Sequence, residues 1–380
     1  MRITKIAFAC HVESDRQSQK TTIAHLVTGL QIGGLERVVI NLVGRFRDSG
    51  YRQFIVCLET GGPFADEIAK LGANVIVLGK KPGMSWRTIR QLATLFRQEH
   101  VQIVHTHNPP PHFHGVLAGL LAGVPVRVHT KHGRNYPHMK KRVLLNRVLS
   151  WFTDAIVPVS DNAGTVALEI EKVNPKKVWR IWNGVDTELY RPQSTVHRPQ
   201  SIATVARLSP EKDQQTMLLA FRLVVDQLPA ARLVFIGDGP CLPVLRDTTA
   251  KLKLTGHVEF LGARNDVAAL LPEFTVFTLS SVTEGISMTL LEAMACGVPI
   301  VATDVGGNRE IVQPPACGLI VPARDPQALA TAYLELLRDL ARCAKMGAAG
   351  RQRVVEHFSL ESMVRQYSDL YDELLKRKIA

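Results

Sequence analysis

Short apolar runs rich in strand-forming residues alternate along this chain with longer segments of helical period, and they do so in two successive series. In the first series the runs fall at 23–28, 54–58, 74–78, 103–106, 126–130, 155–159 and 178–182, with helical patterns at 35–48, 86–99, 140–152 and 162–172. The second series runs through 202–206, 232–236, 258–261, 275–279, 299–302 and 319–321, and the chain ends in helical segments at 326–357, with a break near Gly347, and 360–378. Strand–helix repeats of this kind bring successive strands back parallel and cover both faces of each sheet with helices. Between the series, 183–199 is rich in Pro, Asn, Asp and Gln and has no sustained period, which marks a junction. The expected fold is therefore α/β, with two doubly wound, Rossmann-like domains facing each other across a cleft: 23–185 and 186–359, after a leader at 1–22.

Composition narrows the class. Hydrophobic residues make up 46% and charged residues 21%, ordinary values for a globular protein. No apolar run approaches the roughly 18 residues needed to cross a bilayer, and the short stretch 6–10 is broken by His11 and Glu13 with no cleavage site after it. Six scattered cysteines without a C-x-x-C pair suit reduced thiols in a cytoplasmic protein. The net charge of +12 is lopsided: residues 1–190 hold 25 Lys and Arg against 14 Asp and Glu, whereas 191–380 hold 21 against 20. That asymmetry fits an anionic partner for the first half, either nucleic acid, lipid headgroups or a phosphorylated substrate, or else a generally basic solvated surface.

The chemistry concentrates in the second half. Glu284 and Glu292 stand eight residues apart after a strand, with Ser287 placed to cap a helix and Gly297 and Pro299 placed to stop it. At 1.5 Å per helical residue the carboxylates would be on the order of 10 Å apart, suiting a ligand with hydroxyls at both ends and phosphates between, near a helix N-terminus. Arg207 and Lys212, five apart after the first strand of the same domain, pair a planar fork with a point charge, a common solution for a diphosphate. A nicotinamide enzyme is disfavoured, because Gly33-Gly34 has the wrong spacing and Gly237-Asp238-Gly239 lacks the third glycine of G-x-G-x-x-G; there is no P-loop.

Together, the segments 284–303, 207–213, 237–240 and 306–318, with Gly33-Gly34-Leu-Glu36-Arg37 and His132-Gly133 upstream, resemble the family 4 retaining glycosyltransferases with the GT-B fold. The resemblance covers the chain from about residue 23 onward. Ala206 replaces a frequent glycine, and Ile286-Ser287 replaces a common aromatic–proline pair.

The resemblance implies roles for particular residues. Glu284 would hold donor-sugar hydroxyls in the loop of Gly285, Ile286 and Ser287, and Glu292 would hold the ribose. Arg207 and Lys212 would hold the diphosphate, with Gly237 beside them. Gly33 and Gly34 would let backbone amides approach the donor phosphates and the acceptor. His132 would sit beside the reacting sugar, residues 262–265, Arg264 among them, would face the nucleobase, and the last helix, about 360–380, would cross back onto the first domain. The implied substrates are a UDP- or GDP-sugar and a glycan or lipid-linked acceptor of a bacterial surface polysaccharide or glycolipid. No cofactor or metal and no nucleic acid is expected, since Arg and Lys already match the phosphate charge. The implied location is cytoplasmic, with peripheral contact at the inner face of an anionic membrane.

Other readings have less support. Paired carboxylates also occur in glycosidases, at roughly 5 to 9.5 Å, but without adjacent phosphate-binding cations. A nucleotide-sugar epimerase shares the architecture but needs acid–base groups on both faces of the sugar. A nucleic-acid-binding protein would show basic–aromatic interleaving. Eight of the 13 histidines lie between His100 and His138, which raises a metal site; without a nearby cysteine or carboxylate, loop histidines beside a polar cleft are the preferred account. In 139–152, Leu144, Leu145, Val148, Leu149, Trp151 and Phe152 form an apolar arc opposite Arg142, Asn146, Arg147 and Ser150, so the helix could pack inward while its basic residues face lipid.

Overall fold

The structure, a computed structural model, describes residues 20–31, 33–47, 50–133, 139–193 and 198–379. Residues 1–19 of the expected leader lie outside the described residues. Thr21 and Thr22 do not belong to a leader: their β-branched side chains favour extended backbone, and they open a strand in register with Tyr51 and Arg52.

The chain divides into two compact units, one formed by residues up to Ile181 together with those from Met363 on, the other by Trp182–Ser362. The first unit holds six parallel strands, β1 (Thr21–Gly29), β2 (Tyr51–Thr60), β3 (Asn74–Val77), β4 (Ile103–His107), β5 (Val126–Lys131) and β6 (Ala155–Pro158). They run β3-β2-β1-β4-β5-β6 across the sheet. The second unit repeats the plan with β7 (Arg198–Val205), β8 (Arg232–Ile236), β9 (Val258–Gly262), β10 (Phe274–Leu279), β11 (Ile300–Thr303) and β12 (Gly318–Val321), in the order β12-β11-β10-β7-β8-β9. In each sheet the order reverses beside the unit's first strand, at β1/β4 and at β7/β10. Loops diverge there and leave a crevice at the strands' carboxyl ends.

Burial on both faces explains the nearly continuous apolar strands: Ile23, Ala24, Leu26 and Ile55 in one unit, and Ile202, Ala203, Leu233 and Val276 in the other, are fully buried. Residues 178–182 do not form a strand, since among the described residues a single bridge, between Ile156 and Val178, forms beyond the edge strand β6. The first unit ends four residues before the expected boundary because Val185 bridges Ser359 and so belongs with the second unit. The long C-terminal helical pattern breaks at residues 338–339, where Asp339 caps the next helix through Arg342 N, and not at Gly347. Gly347 is helical and lies so close to a neighbour that a Cβ there would sit 1.9 Å from the carbonyl oxygen of Gly297. The last helix, Leu360–Ile379, buries Tyr367 and Tyr371 in the first unit.

Candidate active site

In the second unit, three loops at the carboxyl end of the sheet are stitched together by backbone hydrogen bonds. After β7, Ala206 N donates to Ile236 O and Leu208 N to Asp238 O, so the Arg207 loop runs beside Gly237–Gly239. No side chain fits between them. A Cβ on Gly237 would lie 2.0 Å from Ala206 O, and one on Gly239 2.3 Å from Leu208 O, while the φ of +137° at Gly237 also excludes other residues. Arg207 is thereby held on a fixed backbone with its own residue exposed.

Lys212 ends a short 3-10 turn, Pro210–Lys212, and the loop after β10 is laced to it. Ser280 Oγ donates to the carbonyl oxygens of Lys212 and Asp213, each at 2.9 Å, and Val282 N donates to Glu211 O. This lacing brings Lys212 Nζ to 2.6 Å from Glu284 Oε1, which also accepts from Ser281 Oγ at 2.6 Å. The glutamate side chain is only 9% exposed, so its charge rests on Lys212. Gly306, at φ +56°, packs its Cα against the Glu284 carbonyl, and Gly307 N donates to Gly285 O, which fixes the glutamate loop from the other side. Ser281 was not singled out from the sequence.

The helix after this loop is Met288–Ala295, so residues 284–287 are not helical and the 1.5 Å rise does not apply across the glutamate pair. Ser287 occupies the N-cap position, but its hydroxyl pairs with Thr289 Oγ1 at 3.2 Å and caps nothing. Ile286, Ser287 and Glu292 are all buried. Arg264 is exposed and committed to Asp266, which its Nε reaches at 2.8 Å.

In the first unit, Gly33 precedes the helix Gly34–Arg45 in extended backbone, and Glu36 folds back until a Cβ on Gly33 would meet its carboxylate at 2.5 Å. His132 follows β5, and its Nε2 lies 2.9 Å from His107 Nδ1. His25, His105, His107, His112 and His129 are buried on strands or a helix. His105 and His129 lie in the expected strands, while the general account of the His100–His138 cluster as loop histidines is corrected by the burial of His105, His107, His112 and His129. The cause is the register: β1 and β4 pair His25 with His105, and His107 lies two residues on, along the same face. Ring nitrogens of His25, His105 and His107 all lie within 4.8 Å of one another, close enough to hold a metal ion. Burial lowers His25 to about 4 and both His132 and His112 to about 3, so these rings are neutral at physiological pH.

The helix Lys140–Trp151 departs from the expected arcs. Leu149 and Ser150 form its buried face, while Leu144, Trp151 and Phe152 are exposed. Arg147 is not available to lipid, because it donates to the carbonyl oxygens of Glu171 and Ile170. Among the described residues, no helix is long and apolar enough to cross a membrane.

Two tandem α/β units of identical strand order, one bearing a cation–carboxylate pair at its switch point, define a protein of GT-B architecture. The family model described as Glycosyltransferase Family 4 matches residues 32–189, and that described as Glycosyl transferases group 1 matches 186–353. Among characterised relatives, alpha-maltose-1-phosphate synthase of Mycolicibacterium smegmatis is 30% identical over 311 residues, covering 72% of this chain and 79% of its own. UDP-Gal:alpha-D-GlcNAc-diphosphoundecaprenol alpha-1,3-galactosyltransferase of Escherichia coli is 25% identical over 389 residues, covering 94% and 98%. The crystal structure of Anabaena Alr3699/HepE in complex with UDP superposes with a TM-score of 0.84 at 20% identity, covering 93% of this chain and all of that one. The chain belongs to the family 4 glycosyltransferases.

Proposed function

We propose that the protein moves a sugar from a UDP- or GDP-sugar to a glycan or lipid-linked acceptor, with retention of anomeric configuration, in the synthesis of a surface polysaccharide. The observation that carries this reading is the Lys212–Glu284 pair with Arg207 nearby in sequence, all on loops at the carboxyl ends of β7 and β10. The Escherichia coli relative, whose acceptor is a diphosphoundecaprenol-linked sugar, and the UDP bound by the Anabaena protein support the substrate classes. In the reaction the bond from the anomeric carbon to phosphate breaks and the bond to the acceptor oxygen forms on the same face. The acceptor's proton passes to the departing phosphate oxygen. Arg207 and Lys212 stabilise the charge that develops on that phosphate, Glu284 orients the sugar hydroxyls, and Glu292 holds the ribose. Gly33 and Gly34 let backbone amides approach the donor phosphates and the acceptor at the helix N-terminus. Because the cations match the phosphate charge, the transfer requires no metal.

The test is a thermal-shift screen of the full chain against UDP, GDP, ADP, UDP-glucose, UDP-galactose, UDP-N-acetylglucosamine and GDP-mannose, each with and without EDTA. A ligand at about a hundredfold over its Kd stabilises the folded state by roughly 2.7 kcal/mol, so at least one nucleotide should raise Tm by several degrees, equally in EDTA. No shift with any nucleotide would refute the reading, and a shift abolished by chelator would refute its metal-free part.

We also propose that the first unit docks peripherally on an anionic membrane from the cytoplasm, where the free thiols among the described residues stay reduced. The helix Lys140–Trp151 presents exposed Leu144 and Trp151 together with exposed Lys140 and Lys141, and each lysine near such a surface contributes about 1 kcal/mol. Co-sedimentation with phosphatidylserine vesicles but not neutral ones, weakened by salt, is the expected result. No binding at low salt, or binding unchanged after Lys140→Glu with Lys141→Glu, would exclude it.

A further inference from the structure

We propose that Gln53, His25 and His107 form a one-way hydrogen-bond relay that fixes the tautomer of His132 and leaves its Nδ1 as a bare acceptor for a hydroxyl of the donor sugar. The relay follows from the geometry alone; the identity of the hydroxyl rests on the transfer reading above. A neutral imidazole has one N–H and one lone pair, so the partner of one nitrogen dictates what the other can do.

The direction is set at the far end by a group that can only accept. Gln53 Nε2 donates to the carbonyl oxygen of Val43 at 3.2 Å, which turns the amide oxygen Oε1 toward His25 Nε2 at 3.1 Å. His25 Nε2 must therefore carry the proton, and His25 Nδ1 is the lone pair. At 3.4 Å from it lies His107 Nε2, which must donate, leaving His107 Nδ1 bare. His132 Nε2, 2.9 Å away, must donate to that lone pair. The remaining atom is His132 Nδ1, which is buried and has no hydrogen-bond partner among the described residues.

The rings are held for this task. His107 lies with its ring centroid 4.1 Å from that of His105. His105 is pinned at both nitrogens, by Tyr371 at 2.7 Å and by Thr130 at 2.7 Å, and Thr130 in turn meets Tyr367 at 2.9 Å. Both tyrosines come from the last helix. A buried lone pair without a donor is costly, so a sugar hydroxyl that donates to it is favoured over a deoxy analogue, which leaves it unmet. Gln53, His25 and His107 act through His132 and are positioning residues. A metal ion on His25, His105 and His107 is a competing occupant, and since both ring nitrogens of His25 and of His107 are used in the relay, ligation by either residue breaks it.

The full chain, labelled with nitrogen-15 at histidine, reads the tautomers directly in long-range proton–nitrogen spectra at neutral pH, with His132→Gln used for assignment. The expected pattern for His132 is a bare Nδ1 and a protonated Nε2. His107→Asn, whose Oδ1 stands in for the accepting nitrogen, should preserve it. His107→Leu, and Gln53→Leu as a second variant less demanding on the fold, should turn His132 into a mixture of tautomers. Protonation of His132 at Nδ1 in the unaltered chain, an unchanged spectrum in both leucine variants, or zinc retained by the unaltered chain with nitrogen-15 shifts that show His25 and His107 ligating it would each overturn the proposal. With whichever nucleotide sugar raises Tm, His107→Leu should lower kcat/KM roughly tenfold and His107→Asn restore most of it, while affinity for the free nucleoside diphosphate stays constant. If no nucleotide sugar binds, the transfer reading fails while the spectra still decide the relay.

Discussion

Lys212→Ala is expected to lower kcat/KM for the nucleotide sugar by roughly 10² or more, and Arg207→Ala by roughly 10², because each removes a charge-assisted contact that strengthens as the diphosphate departs. The two losses differ in kind. Arg207 is exposed on its glycine-bounded loop, so its removal should leave the fold of the loop intact. Lys212 is tied to Glu284 at 2.6 Å, and without it a carboxylate that is 9% exposed loses its counter-charge and keeps the neutral Ser281 Oγ on the same oxygen. Lys212→Ala should therefore also disturb sugar binding, raising KM, whereas Arg207→Ala should act mainly on kcat. The Lys212→Ala and Glu284→Gln changes should be less than additive when combined, since they share one interaction. Steady-state kinetics decides the matter, and near-parental turnover in both single variants would sink the diphosphate assignment.

The sequence makes the two-unit architecture and the Arg207, Lys212 and Glu284 set legible because those signals are local: strand–helix periodicity, a loop after a strand, a glutamate before a helix. What it hides depends on contacts between strands far apart in the chain. The Lys212–Glu284 pair spans 72 residues and exists only because β7 and β10 are neighbours in the sheet. His25 was passed over because the visible cluster began at His100, and nothing in the chain states that β1 pairs with β4 at that register. The sequence places His105 and His107 at the end of a strand, where i, i+2 spacing allows a shared face, but it does not show the neighbouring strand that brings His25 beside them. The helix Pro109–Ala122 was missed for a related reason. Its three leading prolines look like a break, although at the first helical turn their missing N–H groups cost nothing, and its burial toward the sheet at Gly115 removes the amphipathic period. Arg264 looked free in sequence because its partner, Asp266, lies only two residues away and could as easily have pointed elsewhere.

Glu171→Ala should destabilise the first unit by roughly 3–5 kcal/mol, the cost of leaving one charge of a buried pair without its partner. Lys131 and Glu171 are both buried and paired through Nζ and Oε2, and Oε1 accepts from Asn146 Nδ2 at 2.7 Å, so the carboxylate is fully engaged. Lys131 closes β5 immediately before His132, so the loss falls where the histidine is held. Burial pushes the Lys131 ammonium below the ordinary lysine value, and Glu171 opposes that shift. In the variant only burial remains, so the downward shift grows. Between the lowered folded value and the ordinary unfolded one, the unfolded chain binds more protons, and stability therefore rises with pH through that window. The deficit of Glu171→Ala should accordingly shrink as the pH is raised from neutral toward the ordinary lysine range, whereas the parent, with its ion pair intact, should gain less. Lys131→Met added to Glu171→Ala should recover much of the loss, since an apolar side chain needs no counter-charge. Urea unfolding read through hydrogen exchange at β5 amides suits a chain of two units, which need not unfold in a single step. A loss below about 1 kcal/mol, or one that deepens as the pH rises, would show that the pair is not the buried charge contact described here.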